Sequence, residues 1–97
     1  MSKKILHLTL KRKWFDLIAI GKKKIEYREL KPYWESRLIK SVGIVVILHQ
    51  FDEIHFRNGY SKSAPFMRVK HEGTEVNIED GCFEIHLGEI LEIKNWK

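Results

Sequence analysis

The pattern of residues 43–93 most constrains the fold, because β-prone runs and turn signals alternate along it. β-branched and aromatic residues favour strands, whereas Gly, Asn and Asp favour the turns that join them. Strands are predicted over residues 43–48, 52–56, 66–71, 74–78 and 82–93, the last interrupted near Gly88, with turns at 58–59, 72–73 and 79–81. The first run is apolar without alternation, which predicts burial on both of its faces.

A first helix is predicted over residues 11–20. Leu10, Trp14 and Ile18 recur four residues apart, which is typical of the apolar face of a helix. Gly21 follows the last of them, where a left-handed helix cap favours glycine because it has no Cβ. The helix therefore ends at Gly21.

The remaining early segments are a strand over residues 5–10 and a second helix over residues 33–39. Pro32 suits the first turn of that helix, and Trp34 and Leu38 lie on one of its faces. With helices early and strands late, the sequence predicts an α+β fold. It has a curled sheet or small β-barrel of five to six mostly antiparallel strands, with two short helices near the N-terminus.

Between the helices, residues 22–31 are predicted to be extended. Alternation puts Ile25 and Tyr27 on the core side of this segment, and Glu26 and Arg28 together on the opposite side. Glu26 should stay ionised beside cations, and Arg28 is positioned to hold it in a bidentate pair. Strict alternation puts Lys23 on the side of Ile25, so a site shared with Glu26 requires an irregular start to the strand.

Length and composition narrow the class of protein. A chain of 97 residues predicts a single domain over residues 1–97. The one cysteine, Cys82, excludes an intramolecular disulfide and a Cys-rich zinc site, so a cytoplasmic location is expected. The longest apolar run, residues 42–48, is far shorter than a membrane helix of about 20 residues, so no membrane partner is expected. The five histidines lack compact metal-ligand spacing, and neither a metal nor a cofactor is predicted.

The charge of this basic protein is uneven along the chain. Residues 1–40 carry 12 Lys+Arg and 4 Asp+Glu, a net charge of +8, whereas residues 41–97 carry 6 and 9, a net charge of −3. A basic first half indicates an anionic partner, with nucleic acid or a nucleotide the leading candidates. A solvated lysine-rich surface is the alternative.

The densest chemistry lies at residues 21–28, where a helix end meets an extended segment. The motif Gly21-x-Lys23-x-x-Glu26-x-Arg28, entered from the helix, resembles the signature of the ASCH domain (the activating-signal-cointegrator homology domain). The chain order of strand, short helix, motif and strands is also similar to that family, and the close resemblance covers roughly residues 4–38. Segments 54–60 and 85–90 are similar to small ASCH-like proteins of bacteria and their phages.

The resemblance implies a PUA-like β-barrel with a cleft where the motif meets the barrel, in a family that is mainly RNA-related. Some small bacterial members are amidohydrolases that remove an acyl group from N4-acetylcytidine with a lysine, a threonine and a distant glutamate. Their lysine falls on Lys23, but their threonine falls on Glu26, so this chain departs from that pattern. Glu72, Glu75 and Glu84 are all candidates for the distant glutamate.

Three functions follow from these observations. The first is a module that binds RNA, a nucleotide or a modified nucleoside. In the second, an amidohydrolase acting on a modified nucleoside, Lys23 is the nucleophile or base and Glu26 assists it. The third is a small interaction protein without cleft chemistry, in which Glu26 and Arg28 form only a partly exposed ion pair. The ligand-binding residues predicted for the first function are Lys23, Glu26 and Arg28 in the cleft, Lys11, Arg12, Lys22 and Lys24 as phosphate contacts, and Asn58 and Tyr60 at a nearby loop tip.

Overall fold

The protein is built on a mixed sheet that curls into a half-barrel, with two helices inserted early in the chain. The computed structural model describes residues 2–97, apart from the side chain of Val42. The elements in chain order are β1 (Ile5–Thr9), α1 (Arg12–Ala19), β2 (Ile25–Glu29), α2 (Pro32–Leu38), β3 (Ile39–Val42), β4 (Val45–Leu48), β5 (Glu53–Arg57), β6 (Phe66–Asn77) and β7 (Cys82–Lys94). The α+β class and the two early helices are confirmed, with seven described strands instead of five to six.

Five strands form the main sheet in the order β1-β5-β6-β7-β2. The β1–β5 pair is parallel, and the other neighbours in this sheet are antiparallel. β1 and β2 are therefore its two edges. The curl brings these edges close enough for Arg28 on β2 to donate a hydrogen bond from Nη2 to the backbone oxygen of Thr9 on β1, at 3.2 Å.

The core fills the inner face of the curled sheet. Its fully buried side chains come from β5, β6, β7, α1 and α2, and they include Phe15, Leu38, Ile54, Phe56, Met67, Val69, Phe83 and Ile85. On α1 the buried face is formed by Phe15 and Ile18, and Trp14 remains 39% exposed. Of the predicted stripe, Leu10 and Ile18 are buried as expected. The prediction is wrong for Trp14, because Phe15, about 100° further around the helix, faces the core in its place.

The turn predicted at residues 72–73 is wrong, because β6 continues through it. β7 stays paired on the far side, with Gly73 opposite His86, and register shifts between Arg68 and Gly73 absorb the irregularity as a bulge. β7 likewise passes through Gly88 without a break. The sequence predicted a turn and an interruption at the positions where the long β6–β7 hairpin is irregular. The two cases were confused because a bulge and a turn have similar residue preferences.

The run at residues 43–48 is also not buried. β3 and β4 form a separate two-stranded sheet, and Ile44 and Val46 are 101% and 67% exposed. Among the described side chains of this sheet, only Ile39 and Leu48, at its base, pack against the core. The prediction of burial on both faces was wrong because composition does not say whether other layers cover a strand. Neither described helix is long and apolar enough to span a membrane.

Candidate functional site

A cleft of about 780 Å³ opens where the two edges of the main sheet face each other. β1 supplies one wall, β2 the other, and α1, α2 and the loop after β5 complete it. A volume of this size is within the range of small-molecule sites. The lining residues are His7, Thr9, Leu10, Lys11, Trp14, Lys23, Glu26, Tyr27, Arg28, Tyr33, Trp34 and Tyr60.

The helix-to-strand junction carries Lys23 into this cleft. Gly21 has φ of +81°, and the backbone N–H groups of Lys22 and Lys23 both donate to the oxygen of Leu17, at 2.9 and 3.0 Å. The chain is thus irregular before β2 begins at Ile25. The Nζ of Lys23 lies 3.3 Å from Oε1 of Glu26. The irregular start that a shared site requires is present.

Glu26 is a buried carboxylate at the floor of the cleft. It is 5% exposed and lies opposite Ile85 of β7, which places it on the inner face of the sheet. Nη1 of Arg28 lies 2.9 Å from Oε2 of Glu26, and the Tyr27 N–H donates to Oε1 at 2.9 Å. Two cations and a backbone donor therefore offset the cost of burying this charge.

Arg28 distributes its donors over several acceptors instead of forming the predicted bidentate pair. Besides its ion pair with Glu26, it donates from Nη1 to the backbone oxygen of Tyr27 and from Nη2 to that of Thr9. Its guanidinium carbon also lies 5.2 Å from the centre of the Trp34 ring. Arg28 therefore ties β2 to β1 and to α2, which makes it the residue that holds the cleft walls together.

The side chains of β2 face the opposite way from the prediction. Tyr27, expected in the core, is 48% exposed, whereas Glu26 and Arg28 share the inner face. The two-residue period was correct, but it does not say which face is inward. At this edge strand the inner face opens onto the cleft, so a mutually neutralised pair of charges occupies it.

Aromatic rings surround the charged floor. Nζ of Lys23 lies 5.3 Å from the ring centre of Trp14 and 5.0 Å from that of Tyr27, within cation–π range. Tyr33 and Trp34 meet edge to face with their ring centres 4.7 Å apart. The sequence placed Trp14 in the apolar stripe of the first helix and Trp34 on one face of the second helix, and neither in a site. These two tryptophans lie on the helices that flank the motif in the chain. That proximity was the signal that they line its cleft.

Five predicted site residues line the cleft, and four do not. Lys11, Lys23, Glu26, Arg28 and Tyr60 are in its walls. Arg12 instead pairs with Asp16 at 2.7 Å and bonds to the oxygen of Lys97. Lys22 and Lys24 border shallow depressions around the residue 21–24 turn. Asn58 supports the wall from behind, since its Nδ2 donates to the oxygen of Leu10 at 2.9 Å.

His7 on β1 is a cleft residue that the prediction of the site did not include. It faces away from the buried Leu6 and Leu8. Its ring meets that of His55 edge to face at 5.3 Å. Burial, followed by the charges of His55 and Arg57, lowers the pKa of His7. A neutral imidazole on the β1 wall can therefore accept or donate a hydrogen bond at neutral pH.

The three candidates for a distant catalytic glutamate lie outside the cleft. Glu72, Glu75 and Glu84 are all outside the described cleft lining, and Glu84 lies opposite Tyr27 on the outer face of the sheet. Ligand atoms of Glu75, Glu84 and His86 lie within 4.8 Å of one another on that face, where they could hold a cation. Nε2 of His86 lies 2.8 Å from Oε1 of Glu75, so two of these groups also contact each other directly.

The second buried carboxylate, Glu53, has a different setting. It is 4% exposed and contacts Lys3, Arg68 and His55 at 2.7 to 3.0 Å. Hydrogen bonds from Lys3, then Arg68 and His55, lower the pKa of Glu53 to about 2. It borders only a shallow depression without aromatic walls. Of the two buried glutamates, Glu26 alone combines burial with an aromatic cleft.

Comparisons of this chain with protein-family models, with curated proteins and with solved structures found no match. The chemistry of the cleft therefore carries the functional argument. The cleft offers one buried acceptor, three cations, a neutral imidazole and five large aromatic rings, which suit a planar polar ligand.

Proposed function

We propose that the protein is a PUA-like, ASCH-type module that binds RNA, a nucleotide or a modified nucleoside in the cleft between β1 and β2. The observation that carries this proposal is Glu26, a buried carboxylate held between Lys23 and Arg28 on the floor of an aromatic cleft. The curled sheet with two early helices supports the PUA-like assignment, and the motif at residues 21–28 supports the family.

The floor and walls suit the two chemical features of a nucleobase. Base–aromatic stacking is worth about 1–3 kcal/mol per base, and Trp14, Tyr27, Tyr33 and Trp34 offer faces or edges for it. Each oxygen of a carboxylate accepts more than one hydrogen bond, so Glu26 retains capacity to accept from an exocyclic amine. Lys11, on the β1 wall, is placed to contact a phosphate.

Binding of a short single-stranded RNA, measured by fluorescence anisotropy at several salt concentrations, tests the proposal. Affinity should fall with salt, with a slope of about −0.7 per neutralised phosphate. Glu26→Gln should weaken binding at least tenfold, because an amide replaces the anionic acceptor. Glu79→Gln, at an exposed acid in the β6–β7 turn, is the matched control and should leave it unchanged. Absence of binding at low salt, or binding that is insensitive to both salt and Glu26→Gln, would exclude this function.

Hydrolysis of an N-acylated nucleoside is the second candidate, favoured by the shared location of Lys23, Glu26 and His7 in one cleft. Water would add to the acyl carbon, the acyl group would leave as a carboxylic acid, and the freed nitrogen would take the proton. His7, or Lys23 in its neutral form, would accept the proton of the attacking water and pass it to that nitrogen. Incubation with a panel of N-acylated nucleosides tests this, and turnover that survives Lys23→Ala and Glu26→Ala would remove both residues from the reaction.

A protein-interaction role without cleft chemistry makes a separate prediction. The double change Glu26→Arg with Arg28→Glu would then alter stability and leave partner binding intact. Loss of nucleic-acid binding in a folded double variant would instead support the cleft function.

A further inference from the structure

The β3–β4 hairpin is an apolar arm that the rest of the fold leaves uncovered. Its base packs against the core through Ile39 and Leu48. Beyond that base Ile44, Val45, Val46 and Ile47 are 101%, 54%, 67% and 46% exposed. Exposed apolar patches of this kind on a folded protein mark interaction sites. This arm is separate from the cleft, and its role does not depend on the proposed ligand-binding function.

The two edges of the arm differ in charge. β3 carries Lys40 and Ser41, whereas every residue of β4 is aliphatic. Natural edge strands are protected from pairing by lysine, proline or a bulge. The β3 edge therefore has such protection, and the described β4 edge has none.

The backbone N–H and C=O groups at the centre of β4 point towards its open edge. Gly43 and Ile44 form a two-residue loop, and Val42 pairs with Val45 beside it. In such a hairpin the pair next to the loop exchanges both hydrogen bonds, and the following pair directs its peptide groups outward. That pair is Ser41 and Val46. The N–H and C=O of Val46 thus point away from β3, along the uncharged edge.

We propose that β4 pairs antiparallel with β4 of a second copy of this chain, about a two-fold axis at Val46. In this register Val46 lies opposite Val46 of the second copy, Val45 lies opposite Ile47, and Ile44 lies opposite Leu48. Every cross-strand pair is aliphatic, and the outward peptide groups of Val46 bond reciprocally. The edge is therefore self-complementary, as a closed two-fold interface requires.

The exposed area sets the strength of this dimer. A fully buried Val or Ile side chain removes roughly 60–120 Å² of apolar surface from water, so four partly exposed ones offer on the order of 250 Å² per copy. Because edge pairing covers one flank of each side chain, two copies bury at most about 500 Å² of side-chain surface, well below the roughly 1,200 Å² of a standard stable interface. The dimer is accordingly weak and forms only at high protein concentration.

Salt distinguishes this dimer from a charge-driven one. The chain carries a net charge of +5, so two copies repel each other and added salt should strengthen association. A second apolar surface exists at the tip of the β6–β7 hairpin, where Val76 and Ile78 are exposed beside Glu75 and Asp80. If the arm bound that acidic tip in another copy, salt would weaken association instead.

Sedimentation velocity from micromolar to millimolar protein tests the proposal with two matched variants. Val46→Lys places like charges across the two-fold axis and should leave the protein monomeric throughout. Ser41→Lys adds the same residue at the cross-strand neighbour of Val46, on the β3 edge, and should dimerise like the wild type. Both positions are exposed, and circular dichroism checks that each variant is folded.

Hydrogen exchange provides the direct readout of edge pairing. The amide of Val46 should become protected as protein concentration rises, at least tenfold across the dimerisation range, while that of Ser41 should not change. A wild type that stays monomeric at millimolar concentration, equal loss of dimer in Val46→Lys and Ser41→Lys, or association that weakens with salt would each overturn the proposal.

Discussion

Replacing Arg28 by alanine should cost more stability than replacing any exposed ion-pair residue of the chain. Arg28→Ala leaves Glu26, with a side chain only 6% exposed, without the closer of its two cations. Breaking a buried ion pair typically costs about 3–5 kcal/mol. Lys23 at 3.3 Å and the Tyr27 N–H remain and reduce this loss. We therefore expect the free energy of unfolding to fall by about 2–3 kcal/mol.

Urea unfolding monitored by tryptophan fluorescence measures this change. With a slope of about 1–3 kcal/mol per molar urea for a small protein, the midpoint should fall by about 0.7–3 M. Glu26→Gln should cost less, about 1 kcal/mol, because Arg28 keeps its backbone acceptors on Tyr27 and Thr9. The double variant Glu26→Gln with Arg28→Ala should be more stable than the sum of the two single losses predicts. Without the Glu26 charge, the loss of Arg28 no longer leaves a buried carboxylate unpaired.

The matched control is Lys31→Ala, which breaks an ion pair with Glu29 whose side chains are 63% and 71% exposed. Exposed pairs contribute about 0–1 kcal/mol, so its midpoint should hardly move. If Arg28→Ala costs no more than Lys31→Ala, Glu26 is not a buried, compensated charge, and the account of the cleft floor is wrong.

Two further predictions separate the cleft from the core and test its surroundings. Trp14→Ala should weaken ligand binding, measured by anisotropy, with little change in stability. Phe15→Ala should lower the free energy of unfolding, measured in urea, by about 3–5 kcal/mol. Equal losses of stability would contradict the assignment of Trp14 to the cleft and Phe15 to the core. Nδ1 of buried His71 accepts a hydrogen bond from the Phe51 N–H, and burial lowers the pKa of His71 from 6.5 despite the opposing charge of Glu72. The unfolded chain therefore binds this proton more readily than the folded protein does. The contribution of His71 to stability should be complete above about pH 6.5 and decline below it by up to about 1.4 kcal/mol per pH unit. His71→Gln should flatten that decline in urea unfolding at pH 7 and 5, and a protein equally stable at both would refute the neutral His71.

Local signals predicted much of the fold. The end of α1 just before Gly21 and the start of α2 at Pro32 depend on the backbone conformations open to single residues, so sequence alone revealed them. The strands predicted over residues 5–10 and 52–56 are likewise present as β1 and β5, because β-prone residues fill both segments.

The errors arose where a distant part of the chain decides the outcome. Whether residues 43–48 are covered depends on which layers lie against them, and of this run only Leu48 packs against the core. Whether Glu72 and Gly73 turn or bulge depends on β7 continuing opposite them. Which face of β2 is inward depends on the curl of the whole sheet. Periodicity is a property of the segment, whereas burial is a property of its neighbours.

The motif was identified from sequence, but its full cleft was not. Lys23, Glu26 and Arg28 are close in the chain, so their convergence required only the turn after Gly21. His7 and Tyr33 reach the same cleft because the edges β1 and β2 approach each other, and no local pattern encodes that approach.

The indole N–H signals of the three tryptophans test the central claim most directly. Trp14 and Trp34 line the cleft, whereas Trp96 donates from Nε1 to Asp16 at 2.9 Å, outside the described lining. In a ¹H–¹⁵N titration with a short single-stranded RNA, and separately with free nucleosides and nucleotides, the Trp14 and Trp34 signals should shift while that of Trp96 stays in place. Binding that moves Trp96 alone, or saturable binding that moves none of the three, would contradict the cleft as the site.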